Sequence, residues 1–207
     1  HLLVEKIDDT LVMLDSGCIC CTVKGDLLRA LKDLFMRSLH REIPPVSRVV
    51  IETTGLADPA PVIMSIHQEP FIAERFRGDG VITAIAATHG LEQIGGYTEA
   101  LKQATMADRL LVTKCDLADA EQITSLEKRL GELNPGASRE QVAQGKVTAD
   151  MIFGAGLFAI ENKPAEVAAW LAAEQVREAH HHGHHHQHHH HDVNRHDENV
   201  ESFVLAF

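Results

Sequence analysis

Three cysteines, Cys18, Cys20 and Cys21, stand within four residues near the start of the chain. Thiolates at this spacing can supply two or three soft ligands to one Zn²⁺, Co²⁺ or Cu⁺ ion. Because such close neighbours do not easily bridge one another, the pattern favours metal or redox chemistry in a reducing compartment over a secreted disulfide scaffold. No distant Cys-x-x-Cys or His pair that would close a structural zinc site is evident. We therefore expect an open site, suited to a metal that is delivered rather than retained.

The same cluster also allows a redox interpretation. Cys18 and Cys21 have the Cys-x-x-Cys spacing of thiol redox proteins. This alternative predicts a reversible disulfide and no metal in the purified protein.

Histidines form a second group of candidate ligands. The chain has 15, and ten of them lie in residues 180–191, a tract that ordinary polar sequence follows. Imidazoles in such a run bind borderline metals loosely near neutral pH. We interpret the tract as a metal reservoir or capture arm, and we expect the scattered His1, His40, His67 and His89 to be surface or core residues.

Residues 113–116, here named the base loop, resemble the guanine signature Asn-Lys-x-Asp with Thr in first place. The Lys114 stem can lie along a purine ring, while the Asp116 carboxylate accepts from the N1–H and N2–H groups of guanine. A Thr113 hydroxyl can brace the loop. Taken alone, four such residues are more often an exposed turn, because a short motif arises easily by chance.

A switch segment, residues 52–61, follows the apolar run 49–51, which predicts a buried strand. Glu52 at the end of that strand can hold Mg²⁺ through water. Gly55 lets a backbone N–H approach a γ-phosphate, and with Thr53 and Thr54 it forms a segment that can change state when the phosphate leaves. The plain alternative is a strand that ends in a polar turn.

Strand-like and helix-like patterns alternate through residues 11–134. The predicted strands are 11–14, 49–51, 81–87 and 109–113, and the predicted helices are 27–39, 59–66, 99–107, 119–133 and, further on, 148–154 and 164–178. Leucines three and four residues apart predict the first helix, which Pro44 and Pro45 stop, and Asp119 with Gln122 forms a plausible capping box. The last helix has Val167, Trp170, Leu171 and Val176 on its apolar side. Strands without polar alternation, separated by helices, predict a parallel sheet covered on both faces. Ligands bind beyond the carboxyl ends of such strands. The cysteine cluster, the switch segment and the base loop all follow predicted strands.

Composition excludes several classes of protein. With 19 Lys and Arg against 30 Asp and Glu, the formal charge of -11 argues against nucleic acid or an anionic membrane as a main partner. No apolar stretch approaches the ~20 residues that span a bilayer. The 207 residues suffice for one full domain and part of another.

Together these features closely resemble the CobW-type GTPases, P-loop proteins related to the GTPases that insert nickel into urease and hydrogenase. The matching blocks are residues 17–27 (GCICCTVKGDL), 51–61 (IETTGLADPAP), 107–109 (ADR) leading to 113–116 (TKCD), 133–135 (LNP), and the His-rich linker. The resemblance implies an α/β fold: a P-loop NTPase-type, mostly parallel sheet with helices on both faces, then a His-rich linker and the first strand of a C-terminal α+β domain. Residues 1–179 would be the GTPase domain without its N-terminal phosphate-loop segment, 180–199 the linker, and 200–207 the start of a truncated C-terminal CobW-type domain.

The resemblance further implies GTP hydrolysis with Mg²⁺, coupled to delivery of zinc or cobalt to a client metalloprotein or metal-inserting enzyme in the cytoplasm. It implies no nucleic-acid or membrane partner, and it is compatible with a homodimer. By motif, the metal ligands are Cys18, Cys20 and Cys21, the catalytic switch residues are Glu52, Thr53, Thr54 and Gly55, and the guanine site is Thr113, Lys114 and Asp116. The alternative is a metal-buffering protein without a working nucleotide switch.

Three features depart from the family pattern. The sequence has no G-x-x-x-x-G-K-[ST] phosphate loop, which the resemblance places upstream of His1. Residues 85–87 read Ile-Ala-Ala where the family commonly has Val-Asp-Ala, and Thr113 replaces the usual Asn. Without a phosphate loop we expect the chain by itself to bind GTP weakly and to hydrolyse little.

Overall fold

The computed structural model describes residues 22–156 and 163–181, with the side chains of 25–156 and 163–176. The chain divides into two compact units, His1–Ile51 with His189–Phe207, and Glu52–His188. Several predictions lie outside the described residues: the strand at 11–14, the three clustered cysteines, His1, most of the histidine tract and the C-terminal strand. The proposed domain boundaries therefore stay predictions.

The first unit contains helix α1, Thr22–Leu39, which the leucine spacing predicted. Leu27 and Leu31 on its apolar side are buried. The helix ends in a Schellman motif, in which Arg41 has φ +61°. The Arg41 N–H donates to the Ser38 carbonyl, and the Glu42 N–H donates to the Arg37 carbonyl. The helix thus ends before the two prolines that were expected to stop it.

The predicted buried strand at residues 49–51 is wrong. Residues 44–54 adopt neither helix nor strand, and Val50 is 74% exposed. An apolar run becomes a buried strand only when its backbone pairs with a neighbouring strand. None of the described residues pairs with this run, so its side chains stay near solvent.

The second unit is built on a parallel sheet, as predicted. Among the described residues its strands are β1, Ile82–Ala86, β2, Arg109–Thr113, and β3, Ser138–Gln141, in the order β1-β2-β3. Ala86 pairs with Thr113, and Val112 pairs with Gln141. The carboxyl ends of all three strands therefore meet at one edge of the sheet.

Helices precede, connect and follow these strands. They are α2, Pro59–Gln68, α3, Pro70–Arg75, α4, Gly90–Gly96, α5, Thr98–Met106, α6, Ala120–Leu133, α7, Ala149–Ile152, and α8, Ala165–His181. The predicted capping box of α6 is confirmed, since Asp119 accepts from the Gln122 N–H and the Gln122 side chain accepts from the Asp119 N–H. Helices α3 and α4 and strand β3 were not predicted. Val176, expected on the apolar side of α8, is 56% exposed, because at 3.6 residues per turn it lies on the opposite side of the helix from the buried Val167 and Leu171.

Two apolar clusters hold this unit together. One joins the sheet to α4, α5 and α6; its larger members are Ile85, Ile94, Leu110, Val112, Leu126 and Leu130, and Ala104 contributes from α5. The other joins α2 to α8 through Ala60, Ile63, Met64, Met106, Val167 and Leu171. Helix α2, which begins inside the switch segment, therefore packs on the helix that leads into the histidine tract.

Candidate functional site

The base loop leaves the end of β2 and is braced against β1. The Thr113 hydroxyl donates to the Ile85 carbonyl (3.3 Å), and the Thr113 carbonyl accepts from the Ala87 N–H (2.8 Å). Lys114 then turns the chain with φ +57°, and the Lys114 carbonyl accepts from the Leu117 N–H. The predicted bracing role of Thr113 is present, and the Lys114 side chain is exposed at the strand ends.

The loop after β3 fixes Asp116. Asp116 Oδ1 accepts from the Gln144 N–H at 2.8 Å. Gln144 and Gly145 both have left-handed backbone, φ +53° and +66°, which turns the chain towards the carboxylate. The Asp116 side chain itself remains exposed. The carboxylate is therefore held in place while it stays open to a ligand.

Cys115, the residue between Lys114 and Asp116, faces inwards. Its thiol donates to the Val112 carbonyl at 3.1 Å, and its N–H donates to the Val142 carbonyl at 3.2 Å. Cys115 thus anchors the base loop to the sheet, while the residues on either side of it are exposed.

The first part of the switch segment is an exposed turn that α5 holds. Glu52, Thr53, Thr54 and Gly55 are all exposed. The Ala57 N–H donates to the Thr54 carbonyl (3.1 Å) and closes a tight turn, residues 54–57, here named the switch turn.

The Gln103 side chain holds both ends of the switch turn. Its Nε2 donates to the Thr54 carbonyl at 3.2 Å and to the Ala57 carbonyl at 2.8 Å. Gln103 has no signal in the sequence, because contacts across more than forty residues leave no local pattern.

Asp58 and Lys102 secure the other end of the switch segment. Asp58 Oδ1 caps α2 by accepting from the Ala60 N–H at 3.0 Å, and Oδ2 pairs with Lys102 Nζ. The side chains of Lys102 and Asp58 are only 15% and 10% exposed. Lys102 Nζ also lies 5.8 Å from the centre of the Trp170 ring. An Asp directly before a helix that begins with Pro can be recognised as an N-cap from the sequence. The ion pair of Asp58 with Lys102 cannot be recognised in this way.

Two further motif residues have structural roles. Buried Asn134 donates through Nδ2 to the carbonyls of Ala104, Thr105 and Ala107, at 2.8–3.1 Å, and so ties the end of α6 to the end of α5. Asp108 accepts from the Val81 N–H at 2.7 Å and pairs with Lys163. Asn134 thus joins the ends of two helices, and Asp108, just before β2, holds Val81, just before β1.

The predicted metal ligands Cys18, Cys20 and Cys21 precede α1 directly in sequence and lie outside the described residues. Within the described ranges, no three His, Cys, Asp or Glu side chains come together as a metal site. His40, His67 and His89 are exposed, as expected for surface residues. No described helix is both long and apolar enough to cross a membrane.

One carboxyl group outside the candidate site has a shifted pKa. A hydrogen bond from the Thr148 side chain, aided by the backbone N–H of Asp150 itself, lowers the pKa of Asp150 below its ordinary value.

Comparison with known proteins identifies the family of the chain. Residues 1–140 match the model of the CobW/HypB/UreG nucleotide-binding domain. The chain belongs to this family. The family resemblance inferred from the sequence is thus confirmed.

Relatives of this CobW/HypB/UreG chain include two zinc chaperones. The zinc chaperone YjiA of Escherichia coli is 35% identical over 75% of the chain and 51% of its own length. The zinc chaperone CobW of a Sinorhizobium species is 29% identical over 96% of the chain and 56% of its own length. A zinc-regulated GTPase metalloprotein activator of Saccharomyces cerevisiae is 30% identical over 58% of the chain and 32% of its own length. The chain thus spans about half the length of the two zinc chaperones.

The fold agrees as well. A crystal structure of the Zn(II)-bound YjiA GTPase from E. coli superposes with a TM-score of 0.60 at 34% identity, covering 64% of this chain and 41% of the other. The α/β fold with a parallel sheet, expected for a P-loop GTPase of this family, is confirmed.

Proposed function

We propose that the full-length protein is a GTP-hydrolysing metal chaperone. It binds zinc, with cobalt as the alternative cargo, at Cys18, Cys20 and Cys21, and it delivers the ion to a client metalloprotein or metal-inserting enzyme under control of a GTP switch. Family membership and the zinc chaperones among its relatives support this function.

The observation that carries the nucleotide part is the hydrogen bond from the Gln144 N–H to Asp116 Oδ1. It holds an exposed carboxylate at the carboxyl ends of parallel strands, where nucleotides bind in open α/β sheets. In our proposal Asp116 accepts from guanine N1–H and N2–H, the Lys114 stem covers the ring, and Thr113 braces the loop.

In our proposal the switch segment binds the phosphate end of the nucleotide. Glu52 holds Mg²⁺ through water, and the backbone of Thr53, Thr54 and Gly55 meets the γ-phosphate. An added Cβ at Gly55 would meet none of the described residues within 4 Å, so on their side the space beside this backbone is open to a ligand. Mg²⁺ would supply charge neutralisation during phosphoryl transfer, and these residues position the phosphate.

The coupling follows from linkage. In the GTP-bound state the γ-phosphate holds the switch segment in the conformation that shapes the cysteine loop to hold one metal ion; after hydrolysis the segment relaxes to its nucleotide-free conformation and the metal is released. Metal must then change nucleotide affinity by the same factor by which nucleotide changes metal affinity. No covalent nucleophile is required, so the cysteines act as ligands.

The base site is tested by Asp116→Asn in the full-length protein. An amide cannot accept from both N1–H and N2–H, so preference should shift from GTP towards XTP, measured as the ratio of the two dissociation constants. Asp119→Asn is the matched control, because Asp119 is an exposed helix cap that Asn also serves. Unchanged GTP affinity in Asp116→Asn would show that this carboxylate does not read the base.

The phosphate side is tested by Gly55→Ala. Since no atom of the residues that the structure describes lies within 4 Å of the added methyl group, folding and GDP affinity should be unchanged. Affinity for a non-hydrolysable GTP analogue should fall, because the methyl group occupies the space beside the phosphate. A variant that binds GDP and the analogue as the wild type does would refute the role of Gly55.

A further inference from the structure

We propose that Gln103 is the positioning residue of the switch: its carboxamide sets the conformation of the switch turn and thereby the position of the Gly55 N–H. This inference rests on the proposed GTPase function. Gln103 touches neither nucleotide nor metal in the proposal; it acts through the backbone of residues 54–57.

The geometry of this contact is unusual for an exposed turn. One side-chain nitrogen donates to the carbonyls at both ends of the turn, Thr54 (3.2 Å) and Ala57 (2.8 Å). The Ala57 N–H donates back to Thr54 across the turn (3.1 Å). The residues between them, Gly55 and Leu56, are exposed. The turn is therefore held through its backbone, and both hydrogens of one amide group suffice to hold it.

The main chain at Gln103 is tied to the sheet. The main-chain carbonyl of Gln103 accepts from the Thr83 hydroxyl of β1 at 2.7 Å, which fixes this part of α5. The preceding residue, Lys102, pairs with Asp58, the first residue after the turn. Gln103 thus holds the switch turn, and its neighbour Lys102 holds Asp58, the residue after the turn. Both contacts start from α5, which is tied to the sheet that also carries the base loop.

This arrangement gives the switch turn a defined resting position. A backbone N–H that must meet a γ-phosphate loses less freedom on binding when its turn is already ordered. Loss of the two hydrogen bonds to the turn should lower kcat for GTP hydrolysis about tenfold, an effect at the lower end of the range expected for two net hydrogen bonds. The affinity for GDP, which lacks the γ-phosphate, should stay within about twofold.

The test uses the full-length protein with two substitutions, Gln103→Leu, which keeps the size of the side chain and removes both donors, and Gln103→Glu. Protonation of the carboxyl group that Gln103→Glu introduces restores one donor, so the ratio of variant to wild-type kcat should rise as the pH falls. Gln103→Leu should show no such rise. Gln93→Glu, the same change at an exposed position of α4, is the matched control and should behave as the wild type.

Amide hydrogen exchange at Ala57 in the nucleotide-free protein separates the two proposals. Its N–H closes the turn, so Gln103→Leu should accelerate its exchange about tenfold relative to the wild type, at unchanged Tm. Unchanged exchange, or unchanged kcat in Gln103→Leu when the wild type hydrolyses GTP, would overturn the role of Gln103. A wild type that does not hydrolyse GTP would overturn the proposed function and leave the exchange result to decide on Gln103.

Discussion

Removal of the Asp58 carboxylate should destabilise the second unit far more than removal of an ordinary helix cap. Asp58 has two partners: it caps α2 through the Ala60 N–H, and it neutralises Lys102. Both charged side chains are at most 15% exposed, so solvent screens the pair only weakly. Asp58→Ala removes both interactions and leaves an ammonium group with little access to water.

The size of the effect follows from these two losses. A lost N-cap costs about 1 kcal/mol, and removal of one partner of a buried ion pair costs about 3 kcal/mol or more. Asp58→Ala should therefore lower the free energy of unfolding by about 4 kcal/mol. Asp58→Asn keeps the cap and should lose about 3 kcal/mol. Asp119→Ala, at the exposed cap of α6, should lose about 1 kcal/mol.

The assay is thermal unfolding followed by the fluorescence of Trp170, the one tryptophan of the chain, whose ring lies 5.8 Å from Lys102 Nζ. For a protein of this size about 1 kcal/mol corresponds to a change of roughly 2–4 °C in Tm. The expected decrease is thus roughly 8–16 °C for Asp58→Ala against roughly 2–4 °C for Asp119→Ala. Equal decreases would refute the reasoning, because they would leave the ion pair without a net contribution.

Other parts of the structure give sharp predictions. Gly90→Ala should destabilise by about 1–3 kcal/mol, because the added Cβ would overlap the Ile85 side chain of β1. Gly95→Ala on the same helix meets no described residue within 4 Å and should stabilise by about 0.5 kcal/mol; urea unfolding measures both. Asn134→Asp should cost at least about 3 kcal/mol, since a carboxylate would face three carbonyls, and a variant as stable as the wild type contradicts this. Thr148→Val should raise the pKa of Asp150 towards 3.8, which an NMR titration would measure. Because the pKa of Asp150 is depressed in the folded state, its ionised carboxylate stabilises the fold above pH 3.8, and this stabilisation is lost as the pH falls through the folded-state pKa.

Elements whose own residues show a capping motif or an apolar pattern could be predicted from the sequence. Helix α6 was placed by its capping box and its apolar spacing, and β2 by an uninterrupted apolar run. Strand β3 reads Ser-Arg-Glu-Gln and is exposed throughout. It is held by backbone pairing with β2 at the edge of the described sheet, so its side chains give no indication of a strand.

The residues that organise the candidate site divide in the same way. Lys114 and Asp116 were identified because the base loop has a characteristic spacing. Gln103 and Gln144 were missed because each acts across a gap of tens of residues in the sequence. The error at residues 49–51 has a similar origin, since pairing, rather than apolar character alone, makes a strand.

The central claim is that GTP controls metal affinity. Its most direct test is a competitive Zn²⁺ titration of the full-length protein, with and without a non-hydrolysable GTP analogue and Mg²⁺, after deletion of residues 180–191 to remove loose histidine sites. We predict a change in zinc affinity of about tenfold or more with the analogue, at the ~1–3 kcal/mol scale usual for coupled sites, and its loss in Cys20→Ser. Zinc affinity that is the same with and without the analogue would contradict the GTP switch and favour a metal buffer.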